Sequence, residues 1–381
     1  MTISTLSADT PTAPAALVVD RLELTCWRNI RRAALEPHPT FNVLFGENAQ
    51  GKTNLLEAIY LVSRLKSFRD ARMADLVSHG EAAGRVEARV RRAGVGQRVE
   101  VVIEGGRRKV RVDGKAIRRV ADHSHHYKVV LFTPEDIYLA RGAPSERRAF
   151  LDRALYNLHP AFLADSQEYA KTIKRRNALL KTLGAGPQSA ADAALAAYDE
   201  VLSKAGARII ERRKELVHAL GERVVEVWRR VFGDAGDVEL VYQSTVAGST
   251  QEDFLEALQA CRQQDLRRQV TTVGPHRDDL QTLLDGRPLR DHASQGQHRV
   301  FVLALKVTEI QLVVERTGVR PILLLDDVSS ELDKRRNAQL FEYLEAVRGQ
   351  VFLTTTVPEL VGLNVERAEH QVEEGRVWTS S

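Results

Sequence analysis

At 381 residues the chain is too long for one ordinary core, so two domains, or one domain with a large inserted lobe, are expected. Lys plus Arg exceed Asp plus Glu by only 55 to 51, yet a pI near 9.0 permits an acidic polymer as partner. Cys26 and Cys261, without any Cys-x-x-Cys, argue against a disulfide framework or a zinc site and read as small buried hydrophobes in a reducing cytosol. No apolar run approaches the roughly 18 residues of a membrane span, so a cytoplasmic protein without membrane contact is expected.

Residues 1–16, rich in Ser, Thr, Ala and Pro and without a leader pattern, are expected to form a disordered tail. From Ala16 to Phe45 the side chains alternate, with Leu22, Leu24 and Cys26 on one face, and the run Phe41-Asn42-Val43-Leu44-Phe45 enters a Gly-rich loop. The segment Lys52 to Lys66 sets Leu55, Leu56, Ile59, Tyr60 and Val62 on a wide apolar stripe, predicting a helix packed on a sheet. Between residues 85 and 119, alternating segments separated by Glu104-Gly105-Gly106 and Asp113-Gly114 predict strands joined by tight hairpins. Arg107, Arg108, Lys109, Arg111, Lys115, Arg118 and Arg119 crowd one hairpin, which fits either an edge guarded against aggregation or a contact with nucleic acid.

Pro144 to Phe232 is helical in pattern and broken at Gly184-Ala185-Gly186-Pro187-Gln188-Ser189, predicting two antiparallel arms whose basic residues interleave with Glu as a solvated face. Strand patterns resume at Val238. A helix from about Gln297 to Glu315, a strand from Pro321 to Leu325, a helix from Arg335 to Val347 and a strand from Val351 to Thr354 then alternate as in a mostly parallel sheet. The expected fold is α/β: a mixed or parallel sheet lobe of residues 17–140 and 238–381, interrupted by a mostly helical lobe of residues 141–237 with a short antiparallel arm.

Gly46-Glu47-Asn48-Ala49-Gln50-Gly51-Lys52-Thr53 fits a phosphate-binding loop, whose two glycines let consecutive N–H groups wrap β- and γ-phosphates at a helix start. Lys52 adds a point charge and Thr53 a magnesium ligand, making the octet a candidate site for ATP or GTP. The acidic strand that completes such a site, Leu323-Leu324-Leu325-Asp326-Asp327, lies about 270 residues downstream, so the intervening chain is carried as an insert. Asp326 is expected to hold magnesium through water, and Asp327 stands where related ATPases put the group that polarises attacking water. The alternative is that the two acids cap the next turn with Ser329 and Ser330. Ala293-Ser294-Gln295-Gly296-Gln297-His298 brings a hydroxyl, a glycine N–H and a helix start together. A nucleotide already enclosed by the first loop has no vacancy for this second element, which is therefore expected to face a nucleotide on another subunit, unless Ser294 only caps its own helix. His123, His125 and His126 read as an exposed loop rather than a metal site.

Together the three motifs resemble the head of the ATP-binding cassette superfamily in its SMC and Rad50-like branch, and more closely the RecF family. The likeness rests on Trp27-Arg28-Asn29, Gly46 to Asn54, Phe132-Thr133-Pro134-Glu135-Asp136, Gly142 to Asp152, and Arg175-Arg176-Asn177 through Lys181. It continues in Gly274-Pro275-His276-Arg277-Asp278-Asp279, Ser294 to Gln297, and Leu325-Asp326-Asp327 through Ser330-Glu331-Leu332-Asp333. The resemblance implies a cassette head that uses ATP and Mg2+, with Lys52 and Asp327 catalytic, Thr53 and Asp326 on the metal, and Arg28 and Gln297 among the nucleotide contacts. It implies that Ser294 and Gly296 grip the γ-phosphate held by a partner subunit, and that Ser330-Glu331-Leu332-Asp333 contacts the opposite head. It further implies a slow ATPase that homodimerises on ATP, binds DNA at single- and double-strand junctions, and helps RecR and RecO place RecA in recombinational repair and replication restart. No counterpart of the usual magnesium-sensing glutamine is found, and Thr354-Thr355-Thr356 stands where transporter-type cassettes place a switch histidine. The rival readings are a transporter ATPase subunit, a small-molecule kinase and a chromosome-organising ATPase.

Overall fold

The computed structural model describes residues 14–117, 123, 126–183, 188–232, 236–328, 334–358, 361–362 and 365–380. The chain divides into two compact units, the first of Met1–Ala116, Val313–Leu325 and Phe341–Ser381, the second of Ile117–Leu312 and Asp326–Leu340. The second unit thus takes in far more than the helical span, including Asp326, Asp327 and the segment Ser294–Gln297. Most of the tail, Arg118, Arg119, His125, Gly184–Pro187 and Ser330–Asp333 lie outside the described residues.

One sheet of the first unit is antiparallel over most of its width. β1 (Ala15–Trp27) pairs with β2 (Ile30–Leu35) and β4 (Ala83–Arg92), β4 with β5 (Val95–Glu104), β5 with β6 (Arg107–Val112) and β6 with β7 (Lys115–Ala116). A two-residue strand, β12 (Val319–Arg320), adds parallel to the start of β1. The turns Gly105-Gly106 and Asp113-Gly114 have positive φ at both positions (57°, 69° and 50°, 77°), the mirror-image geometry whose twist matches the strands it joins. Ala93-Gly94, at 48° and 82°, makes the same turn without a sequence signal as strong. Val86, Ala88, Val90, Val99, Val101 and Ile103 face inward and are buried.

The outward face of this sheet holds several of its basic residues in ion pairs. Arg85 pairs with Glu87 and Glu100, Arg98 with Glu87, Arg111 with Glu100, Lys109 with Glu104 and Arg91 with Asp20. Those cations are answered by acids on neighbouring strands, the pattern of a solvated, ion-paired sheet face.

The other sheet of this unit holds the Gly-rich loop. β3 (Phe41–Phe45) lies between β14 (Val351–Thr355) and β15 (Arg367–Glu373), parallel to both; β13 (Ile322–Leu325) runs parallel on the far side of β14, and β16 (Arg376–Ser380) returns antiparallel beside β15. β13 and β14 are buried along their whole length, as the near-continuous apolar runs of covered parallel strands require. α1 (Lys52–Arg64) follows the loop and buries Leu55, Leu56, Ile59, Tyr60 and Val62, the stripe its sequence spacing gives.

The second unit is built on helices. α2 (Tyr138–Arg141), α3 (Pro144–Leu158), α4 (Phe162–Leu183) and α5 (Gln188–Phe232) follow the strand β8 (Val129–Phe132). α4 and α5 are the two arms. A further break at His159-Pro160-Ala161, not expected from the helical pattern, separates α3 from α4 because His159 before proline is driven to extended backbone (φ −124°, ψ 106°). β9 (Val238–Gln243), β10 (Asp279–Leu284) and β11 (Arg287–Pro288) form a small antiparallel sheet, with α6 (Gln251–Ala260) and α7 (Arg262–Arg268) between its first two strands. α8 (Leu289–His292) leads to α9 (Gln295–Thr317), and α10 (Lys334–Val347) follows β13. The core of this unit gathers Phe150, Phe162, Ile210, Trp228, Phe254 and Phe301, all essentially buried. Among the described residues no helix is long and apolar enough to cross a membrane, and no group of three His, Cys, Asp or Glu could hold a metal ion.

Candidate nucleotide-binding site

The loop Gly46–Thr53 leaves the end of β3 and turns into α1 by backbone conformations that few residues tolerate. Gly46 has φ 145° and lies so close to the Val372 carbonyl that a Cβ would sit 2.2 Å from its oxygen; Gly51 has φ 118°, and its Cβ would meet Asn29 Oδ1 at 2.9 Å. Ala49 also lies in the left-handed region, at φ 64°. Gly51 is the N-cap of α1 and no side chain caps it, so the helix start offers backbone donors to an anion. Lys52, only 8% exposed, donates Nζ to the carbonyls of Gly46 and Glu47 at 2.6 Å each, which folds the lysine back across its own loop. Two glycine positions that admit no Cβ, an uncapped helix start and a lysine folded across the loop fit a nucleotide's phosphates.

The surroundings of the loop come from two hairpins. In the first, between β1 and β2, Asn29 donates Nδ2 to the Gln50 carbonyl at 3.0 Å and accepts from Asn54 Nδ2 at 2.8 Å, while Trp27 donates Nε1 to the Asn54 carbonyl at 2.8 Å. Arg28, with left-handed φ 53°, places its guanidinium on Glu57 of α1 at 2.8 Å twice over and on the Asp75 carbonyl at 3.0 Å. Glu57 is wholly buried beneath the arginine. The second hairpin, β15 and β16, was not anticipated from the sequence pattern: Glu374 N donates to Gln50 Oε1 at 2.6 Å and Gly375 N to the Gln50 carbonyl at 3.0 Å. Glu374-Gly375, with φ 46° and 73°, is a turn signal between Val372 and Val377 that a search for hairpins beyond Thr354 would have found.

The second unit carries the remaining expected residues. Asp326 donates its backbone N–H to the Phe132 carbonyl at 2.9 Å, and Asp327 sits at φ 49°, a left-handed conformation that costs a non-glycine residue about 1 kcal/mol and that Asp adopts more readily than most. Nearby on α9, Lys306 is 2% exposed; it donates to the Leu131 carbonyl at 2.7 Å, pairs with Asp136 at 3.4 Å and Glu309 at 3.7 Å, and lies over the rings of Phe132 and Phe150. A small cleft adjoins this cluster, lined by Thr133, Ile137, Arg299, Val302, Leu303 and Val328 among others.

Ser294 is a working helix cap. Its Oγ accepts from Gln297 N at 3.2 Å while Gln297 Oε1 accepts from Ser294 N at 2.8 Å, the reciprocal capping box of a Ser-x-x-Gln start. The hydroxyl keeps its own proton, so capping leaves Ser294 a donor. Ser294 and Gln295 are exposed, Gly296 and Gln297 half-buried, and a Cβ on Gly296 would meet Arg336 Nη1 of α10 at 3.2 Å. His298 anchors the first turn by donating Nε2 to the Leu289 carbonyl at 2.9 Å.

The chain matches the family model described as RecF/RecN/SMC N terminal domain over residues 18–372. It is 42% identical over 361 residues to the DNA replication and repair protein RecF of Anaeromyxobacter sp., covering 92% of this chain and 96% of that protein. With the protein so described from Trichlorobacter lovleyi it shares 39% identity over 357 residues, 92% of this chain and 95% of the relative. A solved structure of the recombination mediator protein RecF with ATPrS in the RecFOR pathway superposes with a TM-score of 0.88 at 30% identity, over 97% of this chain and 100% of that one. An Smc head bound to the winged-helix domain of ScpA shares the fold alone, with a TM-score of 0.55 and 14% identity over 96% of this chain and 98% of the other. A family match across nearly the whole length, with relatives at about 40% identity, leaves one conclusion: the chain belongs to the RecF family.

Proposed function

We propose that the chain is an ATP-dependent DNA-binding protein of recombinational repair and replication restart. ATP closes a homodimer on DNA where single and double strands meet, slow hydrolysis reopens it, and RecO and RecR are its partners in loading RecA. The observation that supports this most is the Gly46–Thr53 cradle, with glycines where no Cβ fits and an uncapped helix start. The relatives described as DNA replication and repair proteins, and the RecF forms described with ATPrS and ATP in the RecFOR pathway, support the DNA and partner terms.

In this reading the N–H groups of Gly46–Thr53 and Lys52 hold the phosphates, Lys52 exchanging its two loop carbonyls for phosphate oxygens. Thr53 and Asp326 offer the hard oxygen ligands that Mg2+ takes, and the ion, when bound, neutralises charge on the phosphates. Asp327 orients the attacking water. One methylene shorter than glutamate, it holds its carboxylate back from an in-line position, and small misplacements of this kind cost about a hundredfold in rate. Ser294, Gly296 and Gln297 present an exposed helix start to the nucleotide of a partner subunit.

Light scattering of the protein with a gapped duplex, with and without ATP, tests the reading. ATP is expected to convert a one-subunit species into a stable two-subunit complex, and turnover is expected to stay far below hundreds per second with or without DNA. A protein that stays monomeric with ATP and DNA, or that turns over at such rates, removes the switch.

A further inference from the structure

Arg148 on α3 and Arg277, between α7 and β10, are positioned by neutral groups while the acids around them serve other cations and hydroxyls. Asp279 takes both Nε and Nη2 of Arg147 at 2.8 Å. Asp278 accepts from Tyr242 Oη at 2.6 Å, Thr245 N at 2.7 Å and Thr245 Oγ1 at 2.8 Å. Asp152 accepts Nε and Nη2 of Arg213 at 3.1 and 2.7 Å. Arg148 instead donates Nη1 to the Asp278 carbonyl at 2.8 Å, and Arg277 donates Nε to the Thr271 carbonyl at 3.2 Å. A carbonyl aims a guanidinium without cancelling its charge, so both forks keep donors and a full positive charge. Partial burial, then the charge of Arg213, works against the charge on Arg148, Asp279 and Asp278 work for it and Arg277 against it; the balance lowers its pKa, which an incoming anion would offset.

The loop that carries Arg277 is tied down on several sides. His276 sits between Tyr169 Oη at 2.7 Å and the Thr271 carbonyl at 3.0 Å, Arg213 donates to the Pro275 carbonyl at 2.6 Å, and Thr271 is bound by Arg176 at 2.9 Å and by Asn177. Arg277 is exposed and Arg148 half-buried. On α2, just ahead of the helix that carries Arg148, Tyr138 is 46% exposed with Arg141 over its ring at 5.7 Å. Cationic forks, with an exposed aromatic ring on the preceding helix, suit a phosphodiester backbone with adjoining bases better than an acidic peptide.

We infer that Arg148 and Arg277 form a phosphodiester-binding point by which the second unit grips DNA. This rests on the reading that the chain binds DNA, and the test separates the two. Fluorescence anisotropy is followed on a fluorescein-labelled duplex with a single-stranded tail across a salt series, for the full chain, Arg277→Gln, Arg277→Lys and the Arg148→Gln/Arg277→Gln double variant. Each arginine removed is expected to make the log–log salt slope shallower by about one and to weaken binding on the order of eightfold at about 0.1 M salt, with Arg277→Lys near the parent. Exposed Arg277 carries the test if the double variant fails to fold, which circular dichroism and ATP binding report. If the parent protein binds no DNA, the DNA reading falls and this inference with it. If the parent binds and Arg277→Gln matches it in slope and affinity, the arginine pair alone is overturned. Loss of ATP-dependent dimerisation with DNA affinity intact assigns the pair to a partner subunit instead and overturns the DNA assignment.

Discussion

Gly46 and Gly105 are the same residue type with positive φ, yet their replacement should have very different consequences. At Gly105 (φ 57°) nothing lies within 4 Å of the place a Cβ would take, so Gly105→Ala costs only the left-handed conformation, about 1 kcal/mol. At Gly46 the φ of 145° is outside what alanine adopts, and its Cβ would collide with the Val372 carbonyl at 2.2 Å. Gly46→Ala should therefore cost about 3 kcal/mol or more and abolish nucleotide binding, as read by urea denaturation and binding of a fluorescent ATP analogue; equal losses in the two variants would contradict the collision. The octet around Gly46 was legible because its chemistry needs those types at those spacings. The role of Val372 was not, since a carbonyl carries no sequence signal. Nor was the pairing of Arg28 with Glu57: a buried glutamate on an apolar stripe marks no partner until β1 and α1 are brought together.

Elements were legible where turn chemistry punctuates them, and less so where tertiary pairing holds them. Gly105-Gly106 and Asp113-Gly114 marked their hairpins. β15, whose Arg-Ala-Glu-His-Gln-Val-Glu is mostly polar, is a strand because β3 pairs along it, and His370 and Val372 are the positions it buries. Burial lowers the His370 pKa from 6.5 to about 4. The folded state then binds fewer protons than the unfolded one between those values, so this contribution is whole above pH 6.5 and is lost as pH falls towards 4, up to about 3 kcal/mol. Stability measured in urea should fall less steeply through that window for His370→Gln than for the parent, and parallel curves would refute the assignment. The helical arms are tied differently. Arg176 of α4 is wholly buried and joins Asp199 of α5 at 2.7 Å, Asp265 of α7 at 2.6 Å and Thr271 at 2.9 Å. Arg176→Met takes the buried cation from Asp265 and leaves Asp199 with Arg262 as its cation, and should cost about 3–5 kcal/mol, whereas Arg85→Ala on the ion-paired sheet face should cost about 1 kcal/mol or less. Similar chemical-denaturation losses for both would show the buried network to be dispensable.

At the scale of the whole molecule, the separation of Gly46–Thr53 from Ser294–Gln297 and Asp326-Asp327 was visible in the sequence, but the division that assigns the first to one unit and the others to the second was not. Pattern reading draws domain borders where helices give way to strands; here the borders run inside α9 and α10, which a change of pattern cannot reveal. The proposed composite site on two subunits makes a demand that no single variant tests. Lys52→Ala should weaken nucleotide binding, while Ser294→Arg should spare it and block ATP-dependent dimerisation by placing a bulky side chain at the exposed start of α9. Neither variant alone should dimerise. When the two are mixed, a heterodimer contains one site built from the intact loop of the Ser294→Arg chain and the intact Ser294 of the Lys52→Ala chain, while its other site carries both lesions. Light scattering of the equimolar mixture with ATP should therefore recover a two-subunit species that neither parent variant forms. If Ser294 served only the nucleotide or the helix of its own chain, every site in the mixture would keep a lesion, and the mixture would stay as monomeric as its parts.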